Sequence, residues 1–392
     1  MHVPYRLVAA ARPTLPAGLL VALALGTANF AATPFLIPAI ADALDIGVGT
    51  AGLISTAQLA GFMIGSWLAP RVLAPTSQVV VGSILALAVA NGLSALVSSW
   101  PLLLALRVIS GVGLGATAWL AWREAFGHRR RTNELNVAAP LVVMVSTPLV
   151  AVLASEVSAG ATFAVLAVLA LIPLALPIEP SSHLGPRPGG RRGPAATPAL
   201  LMLLALGLLT TGGSSVFVFV AVIGTERADL TAMAVSVAIV VNAAMGLLAS
   251  RVPRPEWASP AAITAIAASA ALLTVTRSPV VFFVVVSLWG LLFFVALPSS
   301  FDLLSSRSRY PEERAGDAQA VMAAGRVAGP ALGGALVSAG SLPVLGLVAA
   351  GILLVSAAVA ASVARFHPPA SVEPAPVGEP DAQWDRSEKR LR

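Results

Sequence analysis

Twelve apolar runs, each about as long as a membrane-spanning helix, dominate this 392-residue sequence. A hydrocarbon core of about 30 Å is crossed by about 20 helical residues. The runs are separated by polar, glycine or proline breaks and lie at about residues 16–40, 49–70, 78–98, 101–122, 136–157, 160–178, 199–223, 231–250, 257–276, 280–303, 316–338 and 342–365. This pattern predicts an all-α integral membrane protein with 12 transmembrane helices.

Composition agrees with this class and argues against an enzyme. Hydrophobic residues make up 57% of the chain and charged residues only 11%, against about 25% charged in soluble domains. There is no cysteine, and the four histidines lie in tails or polar loops: His2, His128, His183 and His367. With no paired carboxylates and no metal-ligand spacing either, we expect no catalytic activity, no metal and no cofactor.

The basic residues predict the orientation of the spans. They lie in alternate loops, as Arg6, Arg12, Arg71, Arg123, Arg129, Arg130, Arg131, Arg187, Arg191, Arg192, Arg251, Arg254, Arg307, Arg309, Arg314 and Arg365. The other loops hold only Arg227 and Arg277. The positive-inside rule therefore predicts that both termini are cytoplasmic, in the plasma or inner membrane. The same rule explains the net charge of +6 without a nucleic-acid partner.

A linker and an offset similarity divide the spans into two sets of six. "IEPSSHLGPRPGGRRGPAATP" is rich in Pro, Gly and Arg, which is typical of a flexible connection. A shift of 182 residues places "MVSTPLVAV" over "RVAGPALGG", so that Pro148 and Pro330 coincide. We expect a cytoplasmic N-terminus at 1–15, six-helix bundles at 16–178 and 199–366, a cytoplasmic linker at 179–198 and a disordered cytoplasmic tail at 367–392. Duplicated halves around a midplane site are typical of secondary transporters.

Glycines in the fourth span, "LRVISGVGLGA", favour close helix packing. Gly111, Gly113 and Gly115 fit a dinucleotide-binding pattern by letters, but the strand that should precede it is absent. Small residues spaced in this way let two membrane helices approach closely, as we also expect for Gly61 and Gly65 of the second span.

Two arginines lie inside predicted spans. Arg107 is about 9 Å from the end of the fourth span, and Arg326 is about 15 Å from the end of the eleventh, near the membrane centre. A charge there costs about 2.5–3.5 kcal/mol on insertion scales unless it finds water or a partner. No acidic residue lies at that depth, so Arg326 either bonds to neighbouring carbonyls and polar side chains or contacts an anionic substrate.

Other polar or aromatic residues within the spans add to the candidate site. Asn29 and Trp289 belong to the first and tenth spans and gain interest if these helices line a central cavity. Each alone is more typical of an interhelical hydrogen bond or of packing. The predicted substrate-cavity or coupling residues are Asn29, Gln58, Arg107, Trp289 and Arg326.

With these features the sequence resembles the major facilitator superfamily over roughly residues 15–366. "LRVISGVGLGA" is similar to the family's fourth-helix motif, and "GSWLAPR" keeps Gly65 and Arg71 of its gating loop, with Pro70 where the family has Asp. The antiporter motif is matched in spacing by Gly316, Gly325, Gly329, Pro330, Gly333 and Gly334, although here it lies in the eleventh span instead of the fifth.

The resemblance implies a function as well as a fold. It predicts a transporter like those of the drug:proton antiporter branch, which exports small organic molecules by alternating access, with protons and the lipid bilayer as further partners. The alternative, suggested by the intramembrane arginines, is uptake or exchange of a small organic anion. Substrate identity, direction, coupling ion and oligomeric state stay open, a monomer being one option.

Overall fold

The computed structural model describes residues 14–125, 129–178, 195–249, 252–309 and 311–366, which form helices joined by short loops. Among these residues there is no strand. The principal helices are α1 (Ala17–Leu44), α2 (Leu53–Val72), α3 (Ser77–Ser94), α4 (Trp100–Ala125), α5 (Arg129–Val152), α6 (Ala159–Leu171), α7 (Thr197–Phe217), α8 (Ala232–Ala249), α9 (Ala258–Val275), α10 (Pro279–Ser306), α11 (Pro311–Ser338) and α12 (Leu342–Ala364).

Eleven of these helices, some with a short helical extension, are long and apolar enough to cross a membrane. The sixth run is shorter: α6 continues only through a 3-10 turn, Ile172–Ala175. α5 continues as a π-helical turn, Leu153–Val157, and α7 resumes after a break as Val220–Ala228. α11 begins at Pro311, five residues before the apolar run, because a helix can extend past the hydrocarbon core into the polar region.

Helix packing repeats with an offset of six helices. α1 packs on α5, α2 on α4 and α3 on α6; in the same way α7 packs on α11, α8 on α10 and α9 on α12. We call α1–α6 the first half and α7–α12 the second half. Between the halves, α2 contacts α11 and α5 contacts α8.

Hydrogen bonds identify the helix ends that lie together. The Gly18 amide at the start of α1 donates to the Pro177 carbonyl after α6, at 2.8 Å. Arg307 after α10 donates to the Ala364 carbonyl at the end of α12, at 3.3 Å. We call this the basic end, since it carries most of the arginines, and the opposite one, where α1 and α11 terminate, the far end.

Three predicted segments lie wholly or largely outside the described residues. They are the N-terminus before residue 14, most of the linker (179–194) and the tail after residue 366. The four histidines also lie outside the described residues.

Candidate functional site

One face of α11 is exposed at the basic end and buried toward the far end. Gln319, Ala323, Arg326 and Pro330 follow each other at helical spacing on this face. Gln319 is exposed, Ala323 and Arg326 are partly exposed, and Pro330 is buried. One turn further, Gly334 contacts the first half. The face therefore lines a space that opens at the basic end and closes before the far end, which we call the central cleft.

The helices numbered first in each half also carry partly exposed residues along one face. On α1, Leu20, Leu23 and Thr27 are partly exposed, whereas Pro34 on the same face is buried. On α7, Ser214 and Phe217 are partly exposed, between the side that meets α11 and the side that meets α10.

Aromatic side chains flank the cleft on the second-half side. The ring of Phe217 lies 5.9 Å from that of Trp289, between centroids, and Trp289 is buried against α7. Of the two rings only that of Phe217 is partly exposed, so Phe217 offers an apolar aromatic surface to a ligand and Trp289 supports it from behind.

Glycines close the cleft at the far end. A Cβ atom on Gly334 would lie 2.5 Å from the carbonyl oxygen of Gly49, which belongs to the turn Val48–Ala51 before α2. A Cβ on Gly52 would overlap the ring of Phe219, at the break in α7. We call these four residues the far-end contact; here the two halves approach backbone to backbone, as small residues allow.

The apolar clusters follow the same division. The far-end parts of α1, α2, α5 and α6 share one cluster with the second half; Phe35, Ile54 and Val150 belong to it. The basic-end core of the first half forms a separate cluster around Leu19, Leu120 and others. Among the described residues, the apolar cluster that the two halves share therefore lies mainly toward the far end of the first half, and α5 also contacts α8.

Arg326 lies in the cleft without a protein partner. No described residue accepts a hydrogen bond from its guanidinium or forms an ion pair with it. Asp317, the acid that precedes it on α11, pairs with Arg314 at 2.6 Å. Of the two roles predicted for Arg326, the described residues supply no hydrogen bond for the structural one.

Arg107 is in the opposite situation. Its side chain is 1% exposed and donates to Asn91 Oδ1 at 3.0 Å, to Ser94 Oγ at 2.6 Å and to the Ala90 carbonyl at 3.2 Å, all on α3. The guanidinium also lies 4.4 Å from the ring centroid of Phe163 on α6. This arginine points away from the second half and joins α3, α4 and α6.

Asn29 belongs to the same network. Asn91 Nδ2 donates to Asn29 Oδ1 at 3.0 Å, and Asn29 Nδ2 donates to the Leu25 carbonyl at 3.1 Å. All the groups around Arg107 are neutral, so its charge is compensated by dipoles and a ring instead of a carboxylate. The predicted residues Asn29 and Arg107 thus lie together, apart from Arg326 and Trp289.

Gln58 lies at the contact of α2 with α4. It is 3% exposed, and its Nε2 has no hydrogen-bond partner among the described residues. A Cβ atom on Gly111 of α4 would overlap the backbone carbonyl oxygen of Gln58. A buried donor without a partner is unfavourable, which marks this position as unusual.

The motif glycines pack helices closely, as predicted for the second and fourth spans. Gly61 and Gly65 of α2 meet the backbone of Val108 and Val112, while Gly115 of α4 meets that of Phe62. Gly113 faces α3, at 2.7 Å between a Cβ and the Ser83 carbonyl. In α11, the residues that face α7 are Gly325, Gly329 and Gly333, and only Gly316 of this motif has open space around it.

Charged residues at the basic end are held mainly within each half. Arg71 of the predicted gating loop donates to the Trp67 carbonyl and stacks on that indole, so it turns back on its own helix. Glu134 accepts from the backbone amides of Thr14 and Leu15, at 3.0 and 3.2 Å. Burial tends to raise the pKa of Glu134, but these bonds, that of the Thr14 hydroxyl and nearby Arg130 together lower it.

Several residues of the arrangement are absent from the sequence prediction. Gln319, Phe217 and Asn91 are the clearest. Gln319 has a sequence signal, since it is a polar residue two helical turns from Arg326 on the same face of the helix. Phe217 and Asn91 have none, because their roles depend on which helix each faces.

Comparison with known proteins agrees with this architecture. A chloramphenicol resistance protein of Streptomyces lividans is 30% identical over 243 residues, which is 55% of this chain and 59% of that protein. The chain thus matches less than two thirds of that relative's length.

Solved structures give the same fold at low sequence identity. A bacterial homologue of the human lysosomal transporter Spinster, solved inward-facing and occupied, has a TM-score of 0.68 at 14% identity, covering 88% of this chain and 96% of that one. The nucleoside transporter NupG has a TM-score of 0.68 at 14% identity (88% and 98%). The human organic anion transporter MFSD10 (TETRAN) has 0.59 at 17% (88% and 97%).

A family model described as the Major Facilitator Superfamily matches residues 18–326, well over half of the chain. The match covers the first six-helix set with its fourth-span motif, and the second set as far as Arg326 in the eleventh span. The protein is therefore a multi-pass membrane protein that belongs to the major facilitator superfamily of transporters.

Proposed function

We propose that the protein is a secondary transporter that exports small organic molecules by alternating access, driven by the proton gradient. The observation that carries the transport mechanism is the central cleft, since two six-helix halves meet at the far-end contact and separate toward the basic end. Rocking of the halves about a midplane site would expose it to each side in turn.

The proposal counts α6 as a membrane span, which brings the total to twelve, and takes both termini as cytoplasmic. The positive-inside rule then makes the basic end cytoplasmic, so that this conformation is open to the cytoplasm. An amphipathic compound could enter the cleft from there and lie against the partly exposed ring of Phe217.

Export as the direction is supported by the chloramphenicol resistance relative. We therefore choose chloramphenicol as the first test compound, within a panel of neutral and cationic amphipathic drugs. Cells that express the protein should accumulate less of at least one compound than cells that carry an empty vector. Collapse of the proton gradient should abolish the difference. If accumulation never falls, export is wrong; if the difference survives the collapse, proton coupling is wrong.

A matched pair of variants separates the cleft from general effects. Phe217→Ala should weaken export of aromatic compounds, because the ring loses its contact with the ligand and with Trp289. Phe294→Ala makes the same change at an exposed position on α10 and should leave export close to wild type.

Uptake or exchange of a small organic anion is a second candidate. The unpaired Arg326 favours it, and the human organic anion transporter shows that the fold serves such substrates. Proteoliposomes with imposed proton gradients of either sign, compared with none, distinguish the two candidates.

A further inference from the structure

The two intramembrane arginines differ in what surrounds their charges. Three groups on α3 accept hydrogen bonds from the guanidinium of Arg107, and the ring of Phe163 lies against it. Because this side chain is 1% exposed, a ligand cannot reach it. Arg326 has the same charge, yet it has no partner among the described residues and remains partly exposed in the cleft. A cation in this position attracts an anion that the cleft can admit.

The position of Arg326 on α11 directs it toward the cleft. Its helix face lies between the residues that meet α7, Gly325 and Gly329, and the residue that meets the first half, Gly334. Gly334 is eight residues on, about 12 Å along the axis, so Arg326 sits below the closed end of the cleft. Gln319, two turns toward the basic end, is exposed and leaves a polar route to it.

The neighbouring wall supplies the rest of a site for an organic acid. Gly329 meets Ser214 of α7, which places this hydroxyl one turn from Arg326. Phe217 follows three residues later on α7, about 5 Å further toward the far end, and its ring packs on that of Trp289. A charged group and an aromatic surface thus lie side by side in one partly exposed space.

We propose that Arg326 binds the carboxylate of a small aromatic acid whose ring lies against Phe217, which packs on the buried Trp289. The inference rests on the proposed transport function and names the class of substrate, an aryl carboxylate, that the cleft recognises. The guanidinium offers two parallel donors to the two carboxylate oxygens, and an amide of the same shape cannot match that charge.

Calorimetric titration of the purified full-length protein with 1-naphthoate and 1-naphthamide tests the proposal. Wild type should bind the carboxylate about 10- to 100-fold more tightly than the amide, the range for a hydrogen bond to a charged group. Arg326→Gln should lose this preference while it still binds 1-naphthamide, which shows that the variant is folded. Arg326→Lys should keep part of the preference.

The control variant is Arg277→Gln, which removes one positive charge from an exposed loop. It should bind both ligands as wild type does. The proposal is overturned if wild type shows no preference for the carboxylate, or if Arg326→Gln retains that preference. Export of neutral drugs from cells would persist in either case, so a failure of this inference is distinct from a failure of the transport proposal.

Discussion

The far-end contact allows a quantitative test of how the cleft is closed. In Gly334→Ala the new Cβ would lie 2.5 Å from the Gly49 carbonyl oxygen, and ordinary contact begins at 3.4 Å. The halves would therefore have to separate by about 0.9 Å. Overpacking of this kind costs about 1–3 kcal/mol, which favours the state open at the far end by about 5- to 150-fold.

Thiol labelling measures this shift, since the chain has no cysteine. Ser55→Cys introduces a reporter of nearly the same size at a side chain that is 5% exposed, one turn after Gly52. In purified protein, a polar maleimide should label this cysteine about 5- to 150-fold faster when Gly334→Ala is also present. Transport should fall in parallel.

Gly351→Ala is the matched control, because it lies inside α12 and has no atom within 4 Å of its added Cβ. Both changes raise helix propensity by about 1 kcal/mol, so a difference between them reports the contact alone. Equal labelling rates for Gly334→Ala, Gly351→Ala and the parent would refute the idea that this contact shuts the cleft.

Three further predictions concern stability, measured as the thermal midpoint of the purified protein. Gly61→Ala should destabilise by about 1–3 kcal/mol because its Cβ overlaps the backbone of α4, whereas Gly82→Ala, in open space, should not. Asn91→Leu should cost about 1.5–3 kcal/mol by depriving buried Arg107 of an acceptor, and Asn91→Asp should not lower the midpoint. The pKa of Glu134 is lowered from 4.5, so its contribution is present above that value and lost as the pH falls through the folded-state pKa. Glu134→Gln should therefore reduce the loss of stability between about pH 5 and about pH 3.

Hydropathy was enough to predict the helices, because a chain in lipid must satisfy its backbone within each span. Glycine spacing also predicted close packing at the second and fourth spans, and in the structure Gly61 and Gly65 of α2 approach α4. Both properties are local in sequence, so they can be recognised without the other helices.

The partners of the polar residues could not be predicted in the same way. Lipid-facing and interior faces of a membrane helix are both apolar, so periodicity does not show which way Arg107 or Arg326 points. Arg107 meets Asn91 because α3 packs on α4, whereas Arg326 has no partner among the described residues. The depth of both arginines followed from counting residues, whereas their different surroundings required the fold.

The chemical composition of the far-end contact limits what can control it. Gly49, Gly52, Phe219 and Gly334 carry no ionisable group, so neither a change of pH nor added salt alters the attraction between them. Opening at this end also releases no buried charge that would need to be hydrated. If transport is driven by protons, as we propose, the protons act on groups elsewhere in the protein, and the far end follows the movement of the helices.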